Sequence, residues 1–181
     1  MNKLKMIVMI CLFSICCNFA QSTYEQNAQS FAFDKIKLGC NVSMFLNKYK
    51  NAEITGNTDS AYDVIWYKVE PNDCASASLF AFYKKSLYDI VYIYNEDKID
   101  KVGGIMTFMK RMCDKLSKPS IYNNIGDNPN LENLLECQWN FKNRYFILIW
   151  QKDKTVMVTN FDQSIKNEIL ERKQNNENVG F

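Results

Sequence analysis

The sequence of 181 residues contains no histidine, and that absence removes much of catalytic and metal chemistry. Without His there is no Ser–His or Cys–His nucleophile pair and no His-ligated metal site. The common phosphate, dinucleotide and hydrolase motifs (GxxxxGK[ST], GxGxxG and GxSxG) are missing as well. The sequence therefore predicts no catalytic residue, no cofactor and no metal.

A long apolar run of the kind that spans a bilayer, about 20 residues, is also lacking. The N-terminus has a shorter one: residues 6 to 17 are uncharged and apolar, and they follow Lys3 and Lys5. Ala20 then stands directly before Gln21. This layout predicts a secretory signal peptide over residues 1 to 20, cleaved after Ala20.

Two alternatives for this segment fit less well. A buried N-terminal helix would carry a polar face, which the run does not have. A lipid anchor on one of the cysteines near the cut would be preceded by small residues, whereas Ile15 and Cys16 precede Cys17.

The mature chain has no excess of either positive or negative charge once the signal is removed. The whole chain has 22 Lys and Arg against 20 Asp and Glu, and the signal carries two Lys and no acid, so the mature chain has 20 of each. A balanced chain lacks the basic footprint of a nucleic-acid binder. We expect a periplasmic or secreted product without a transmembrane span or nucleic-acid partner. The chain is rich in Asn, Lys and Ile, a composition that suggests an AT-rich genome and favours a bacterial source.

Four cysteines remain in the mature chain, none in a CxxC pair: Cys40, Cys74, Cys113 and Cys137. In an oxidising compartment they permit two disulfides. We predict Cys113–Cys137, because Cys137 points toward the core and Cys113 lies at the edge of a helix stripe. Cys40–Cys74 would be the matching bridge. The alternative is that some are buried free thiols.

The pattern of the mature chain predicts a tandem repeat. Each of the two halves has a helix, a loop, a strand and a hairpin, in that order. The two predicted helices are marked by apolar residues at helical spacing: Val42, Phe45, Leu46 and Tyr49 in the first, and Ile105, Phe108, Met109, Met112 and Leu116 in the second. The predicted strands cover residues 61–69, 78–83, 87–94, 134–142, 144–150 and 155–161. The fold class is α+β: two tandem helix-plus-antiparallel-hairpin units that form an antiparallel sheet with the helices on one face.

The predicted organisation follows from these patterns. A loose lead-in covers residues 21–33, the first α/β repeat covers 34–100 and the second covers 101–162. A short helix over residues 163–172 and a mobile tail complete the chain to residue 181.

Aromatic residues are placed distinctively in the first half. Alternation puts Tyr88, Tyr92 and Tyr94 on one side of a strand. Trp139 lies on the side of its strand that the helices are expected to cover, and Trp66 occupies the matching position in the first repeat. The neighbouring Tyr67 is therefore predicted to lie on the open side. Since Tyr is enriched at interfaces, we predict a partner-binding face formed by Tyr67, Tyr88, Tyr92 and Tyr94. The alternative is ordinary core packing.

The helices LGCNVSMFLNKY and VGGIMTFMKRM and their following strands, over residues 36 to 161, carry a resemblance in layout. Behind a signal peptide, this layout resembles the tandem α/β architecture of beta-lactamase inhibitory proteins. It is also similar to the small lipoproteins of the outer-membrane barrel assembly machinery. The chain departs from them because it has no clear lipid-attachment Cys and no identifiable binding loop. The resemblance implies a protein-binding module that uses a sheet face.

The functional prediction is an exported, non-enzymatic binding module of the bacterial envelope or secretome. It would recognise a protein partner through an aromatic sheet face. The alternative is a small secreted hydrolase or carbohydrate-active enzyme that uses carboxylates without His.

Overall fold

A computed structural model describes residues 23–28, 36–56, 58–70, 75–124 and 133–178. Residues 23–28 are helical, and a single 3₁₀ turn lies at Ser60–Tyr62. The helices are α1 (Val42–Lys48), α2 (Glu96–Lys101), α3 (Gly104–Leu116) and α4 (Gln163–Asn178). The strands of the first half are β1 (Glu53–Ile54), β2 (Val64–Val69), β3 (Ala77–Tyr83) and β4 (Ser86–Tyr94). Those of the second half are β5 (Ile121–Asn124), β6 (Asn133–Phe141), β7 (Arg144–Gln151) and β8 (Val156–Asp162).

The described strands form one eight-stranded sheet in the order β1-β2-β3-β4-β8-β7-β6-β5. Every neighbouring pair is antiparallel. Strands β4 and β8 meet at the centre, and the two short strands β1 and β5 form the edges. The predicted α+β class with an antiparallel sheet is confirmed.

Helices α1 and α3 cover one face of this sheet, which we call the core face. The ring of Phe45 on α1 lies 4.8 Å from that of Phe80 on β3, centroid to centroid, and is fully buried. On α3, Met109, Met112 and Leu116 are buried in the same cluster as Trp139 of β6. The i, i+3, i+4 stripes in the sequence produce this packing because they place the apolar side chains on one side of each helix.

Helix α4 packs on the other face, so the prediction that the helices lie on one face is wrong. Its Ile169 is buried with Val64, Tyr83 and Tyr88, and Ile165 packs beside them. These sheet residues are apolar and need a cover, which the i, i+4 pair of Ile165 and Ile169 supplies. Helix α4 also runs for 16 residues to Asn178, beyond the short helix predicted over 163–172.

Three elements lie where the sequence predicts loops or a loose lead-in. Strands β1 and β5 fall inside the two predicted loops, and residues 23–28 are helical in the predicted lead-in. Short edge strands carry little periodicity, because two to four residues cannot show an alternation. They become strands by pairing, β1 with β2 and β5 with β6.

Two helix starts follow directly from local sequence. The Asn41 side chain accepts a hydrogen bond from the Ser43 N–H at 2.9 Å and caps α1. The Asn95 side chain accepts from the Lys98 N–H at 3.1 Å and caps α2. Asn is among the best residues for satisfying the free N–H groups of a first turn. None of the helices in the described ranges is long and apolar enough to cross a membrane.

Candidate binding surface

Part of the sheet face opposite α1 and α3 belongs to neither buried core cluster. Its residues follow from the register, because paired residues of antiparallel strands point to the same face. One row runs through Leu79, Val91, Thr159 and Ile147, and the next through Ala77, Ile93, Met157 and Ile149. We call the six large apolar residues of these rows the open face: Leu79, Val91, Ile93, Ile147, Ile149 and Met157.

Each residue of the open face is only half-buried. The six lie on β3, β4, β8 and β7, four adjacent strands at the centre of the sheet. Polar side chains continue the two rows at one side, since Ile147 pairs with Gln138 and Ile149 with Glu136. At the other side Leu79 pairs with Lys68. The arrangement is an apolar centre with a polar rim, the usual anatomy of a protein interface.

Sequence reasoning missed the open face, although a signal for it exists. Residues 87–94 and 144–150 are apolar at both alternating positions, which is typical of strands covered on both faces. In β7 the inward residues Phe146 and Leu148 are buried, whereas Ile147 and Ile149 are only half-buried. A strand that is apolar on both faces, in a chain whose apolar helices suffice to cover only one of them, is the sequence pattern that indicates such a surface.

The four tyrosines predicted to form the binding face do not lie on an exposed surface. The exposed fractions of Tyr67, Tyr88, Tyr92 and Tyr94 are 8%, 6%, 0% and 4%. Tyr67, Tyr92 and Tyr94 are buried in the cluster on the core face, and Tyr88 is buried under α4. The alternative of core packing is therefore the correct one for the position of these rings.

The first cause of the error is the alignment of Trp66 with Trp139. In the register Tyr67 pairs with Phe80 and faces the core, whereas Trp66 pairs with Ala81 and faces α4. Tyr67, and not Trp66, is therefore the residue of β2 that points to the core face as Trp139 does on β6. Because side chains alternate with a period of two, an offset of one residue reverses every assignment along the strand.

The second cause is an irregularity in β4. The register shifts between Ala81 and Phe82, which pair with Asp89 and Leu87 and leave Tyr88 as an extra residue. A bulge of this kind interrupts the alternation. Tyr88 consequently lies on the α4 side, while Tyr92 lies on the core face.

The described cysteines are free thiols: Cys40, Cys113 and Cys137. The predicted Cys113–Cys137 bond is not formed in this structure, yet the two groups are neighbours. Burial, and after it the neighbouring charges of Cys113 and Glu136, raise the pKa of Cys137 to about 11. Cys74, the predicted partner of Cys40, lies outside the described residues.

The described residues line two surface cavities. One of about 300 Å³ lies between the end of α3 and β6, where Glu25 is its carboxylate. One of about 410 Å³ lies beside α1 and is lined by Lys37, Cys40 and Lys48 among others. Among the described lining residues, neither cavity has the two carboxylates that glycoside hydrolysis requires. Within the described ranges there is also no cluster of three or more Cys, Asp or Glu suited to a metal ion.

One buried carboxylate borders the open face. Asp89 precedes Val91 by two residues on the same side of β4 and is 4% exposed. Burial raises the pKa of Asp89 to about 7, while the Lys166 ammonium and the Ile90 N–H oppose that shift. The row that contains it also includes Ala81 and Phe161, so Asp89 marks the boundary between the part covered by α4 and the open part.

Comparison with known proteins gives a fold and no family. No protein-family profile matches the sequence, and no curated protein matches it. Among solved structures, the chain is similar to a DUF4309 family protein, YjgB, from Bacillus subtilis subsp. subtilis str. 168. The TM-score is 0.51 at 10% sequence identity, over 78% of this chain and 95% of that one. The similarity at this identity is one of fold.

Proposed function

We propose that this protein is an exported, non-enzymatic module that binds a protein partner through the open face. The observation that carries the proposal is the contiguous patch of six half-buried apolar residues on four adjacent strands, which no described helix covers. Water contact with a contiguous apolar patch is unfavourable, and patches of this kind mark interaction sites.

The chemistry of the patch indicates the kind of partner. Its centre is aliphatic, with Ile147, Ile149 and Val91, and its rim carries Lys68 and Glu136. Such a surface suits a flat apolar patch of a folded protein whose edge offers charges of both signs. Because the residues project from a hydrogen-bonded sheet, binding costs little conformational entropy.

We also propose that the two halves of the chain are repeats. In support, each half has a helix followed by four strands, α1 with β1–β4 and α3 with β5–β8. The order of the second half mirrors that of the first across the β4–β8 pair. Under this proposal the open face would straddle the junction of the repeats.

The proposed location is the periplasm or the exterior of the cell. Support comes from the charged head, the uncharged run and Ala20 in residues 1–20, which lie outside the described residues. Mass spectrometry of the exported protein is expected to find Gln21 as its first residue. A product that keeps Met1 and stays in the cytoplasm would contradict the proposed location.

The binding proposal is tested with two matched variants of the mature protein. Ile149→Lys places a charge in the open face, and Lys142→Glu changes a charge on an exposed turn outside it. The proteins retained from envelope extract are quantified for the wild type and for both variants. Melting temperatures are recorded in parallel.

We expect Ile149→Lys to lower retention of a defined partner at least tenfold with an unchanged melting temperature, because a buried unpaired charge opposes association. Lys142→Glu should retain the partner. Equal retention by all three proteins would contradict the proposal. A dimer of the wild type that Ile149→Lys dissociates in sedimentation would identify a second copy as the occupant instead.

A further inference from the structure

The contact of α4 with the sheet has a narrow apolar part and a wide polar part. Of its 16 residues, Ile169 is buried and Ile165 is half-buried against the sheet, whereas Leu170 is 50% exposed. The rest of the helix is mainly polar. A helix with so small an apolar face relies on other contacts to stay docked.

Those other contacts lie at the exposed rim. Three ion pairs join α4 to the region around β2 and β3: Lys84–Glu168 at 2.9 Å, Arg172–Asp63 at 3.3 Å and Lys173–Asp59 at 2.7 Å. The Tyr83 hydroxyl also donates to Glu168 at 2.6 Å. Exposed ion pairs contribute little to stability, so α4 is among the more easily opened parts of the described fold.

Beneath α4 lies a carboxylate that is poorly satisfied. Asp89 Oδ1 has no hydrogen-bond partner among the described residues, and Asp89 Oδ2 lies 3.9 Å from Lys166 Nζ. The same ammonium stands 3.9 Å from the centroid of the Phe161 ring, which is directly opposite Asp89 on β8. Lys166 therefore offers only a long ion pair to a nearly fully buried group.

Other charged or titratable side chains lie on the strands and the helix packed at this site, and none of them forms a described ion pair or hydrogen bond with Asp89. They are Lys68 on β2, Tyr83 on β3, Tyr88 on β4, Tyr145 on β7, Asp162 on β8, and Glu168, Arg172 and Lys173 on α4. Lys68 pairs with Glu70, and Arg172 with Asp63. An ionised Asp89 is therefore stabilised by Lys166 and by the Ile90 N–H. Together these two groups offset only part of the free-energy cost of burying the charge.

We propose that α4 is a pH-sensitive strap on the sheet, docked firmly while Asp89 carries a proton and released more readily once Asp89 is ionised. The inference rests on the proposed function, because release would extend the open face. Ala81 and Asp89 form the row next to Leu79 and Val91, and this row would join the binding surface when α4 leaves.

The direction of the pH dependence follows from the two protonation equilibria. In the docked state burial holds the pKa of Asp89 at about 7, and in the released state the carboxyl meets water and ionises near its ordinary value of 3.8. Between these values the docked state binds the extra proton, so docking weakens as pH rises. The docking constant should fall by up to about tenfold per pH unit in this window and stay level above it.

The test is native-state amide exchange of the mature protein between pH 5 and pH 8, expressed as protection factors. The matched variant is Asp89→Asn, which keeps the shape of the side chain and removes its charge. The control is Asp63→Asn, which removes the exposed partner of Arg172 and leaves Asp89 in place.

In the wild type we expect the protection of α4 to fall from pH 5 to pH 7 and then to level off. At each pH it should stay at least tenfold below that of β7. Asp89→Asn should flatten this dependence, and Asp63→Asn should change protection little and leave the slope unchanged, because an exposed ion pair contributes little. The same slope in wild type and Asp89→Asn, or equal protection of α4 and β7, would overturn the proposal.

A second measurement covers the case in which Asp89→Asn does not fold. The side-chain carboxyl of Asp89 is titrated by NMR in the wild type, where an apparent pKa near 7 is expected and one near 4 overturns the strap. Neither measurement uses a partner. Failure of the strap is therefore distinguishable from failure of the binding proposal, which the Ile149→Lys retention experiment decides.

Discussion

The indole N–H of Trp139 donates a hydrogen bond to the carbonyl oxygen of Ser117 at 2.9 Å, and this contact ties the middle of β6 to the end of α3. Trp139 is 1% exposed, and Ser117 is the residue that ends the helix. One side chain thus serves the core and also satisfies a carbonyl at a helix end, where no intrahelical partner exists.

Trp139→Phe removes this donor and leaves the Ser117 carbonyl without it. We expect the free energy of unfolding to fall by about 1–3 kcal/mol, because the variant loses a part-buried hydrogen bond and places a smaller ring in the core. Urea denaturation measures the change. Trp150→Phe is the control, because that indole is only half-buried, and its loss should be smaller. Equal losses in the two variants would argue against the role given to this hydrogen bond.

Phe45 is the anchor of α1 in the core. Its ring lies within about 6 Å, between centroids, of the rings of Tyr49, Tyr67, Phe80 and Phe82. Phe45→Ala should lower the free energy of unfolding by about 3–5 kcal/mol, since it leaves a cavity among close-packed rings.

The matched control for Phe45 is its neighbour on the same helix. Met44 is 67% exposed, and Met44→Ala should change stability by no more than about 0.5 kcal/mol. Thermal or chemical denaturation of both variants gives the comparison. A small effect of Phe45→Ala would show that α1 does not hold the first half of the core together.

Ser117 adopts a backbone conformation that favours glycine, with φ at 72° and ψ at −170°. Such a conformation costs a residue with a Cβ about 1–3 kcal/mol. Ser117→Gly should therefore raise the free energy of unfolding by about 1 kcal/mol, after the greater flexibility of Gly in the unfolded chain is subtracted.

The control for Ser117 is a serine in the same connection. The Ser120 hydroxyl donates to the Gln138 carbonyl at 3.0 Å, and Ser120→Gly removes that bond. It should lower the melting temperature where Ser117→Gly raises it. A lower melting temperature for both variants would contradict the strain assigned to Ser117.

Under the proposed export to an oxidising compartment, the Cys113–Cys137 pair, which is reduced in this structure, is expected to close. Burial raises the pKa of both thiols, so few thiolates form at neutral pH and the bond needs an oxidising compartment or a catalyst. Closing a loop of about 24 residues would stabilise the fold by roughly 3 kcal/mol. Non-reducing peptide mapping should find the cross-linked peptide, which Cys113→Ser abolishes. Free thiols at both positions in secreted material would refute the pairing.

Much of the local structure was predictable from sequence. The strict alternation of residues 134–142 identifies β6 and its buried side, with Leu135, Cys137 and Trp139 inward. Apolar stripes identify α1 and α3. These features depend on neighbours along the chain, which a sequence displays directly.

The proposed binding surface was harder to predict because it depends on which side of two strands, β2 and β4, faces the core. In β4 both sides are apolar, so composition does not say which side a helix covers. The preference for the tyrosine side rested on the tolerance of phenols for water, yet Tyr92 is fully buried among the rings of the core. The bulge at Tyr88 arises from the pairing of β4 with β3, and neither strand shows it alone.

The sequence by itself determined the α+β class, the positions of the six longer strands and the two helices of the core face, because periodicity is a local property. Only the tertiary structure decided which face β2 and β4 turn toward the core, that α4 crosses to the other face, and that Asp89 lies under it. These outcomes depend on contacts between residues far apart in the chain, such as Asp89 with Lys166 and Tyr83 with Glu168. The free energy of burying one strand face or the other depends on all the elements together, so it is settled when they pack.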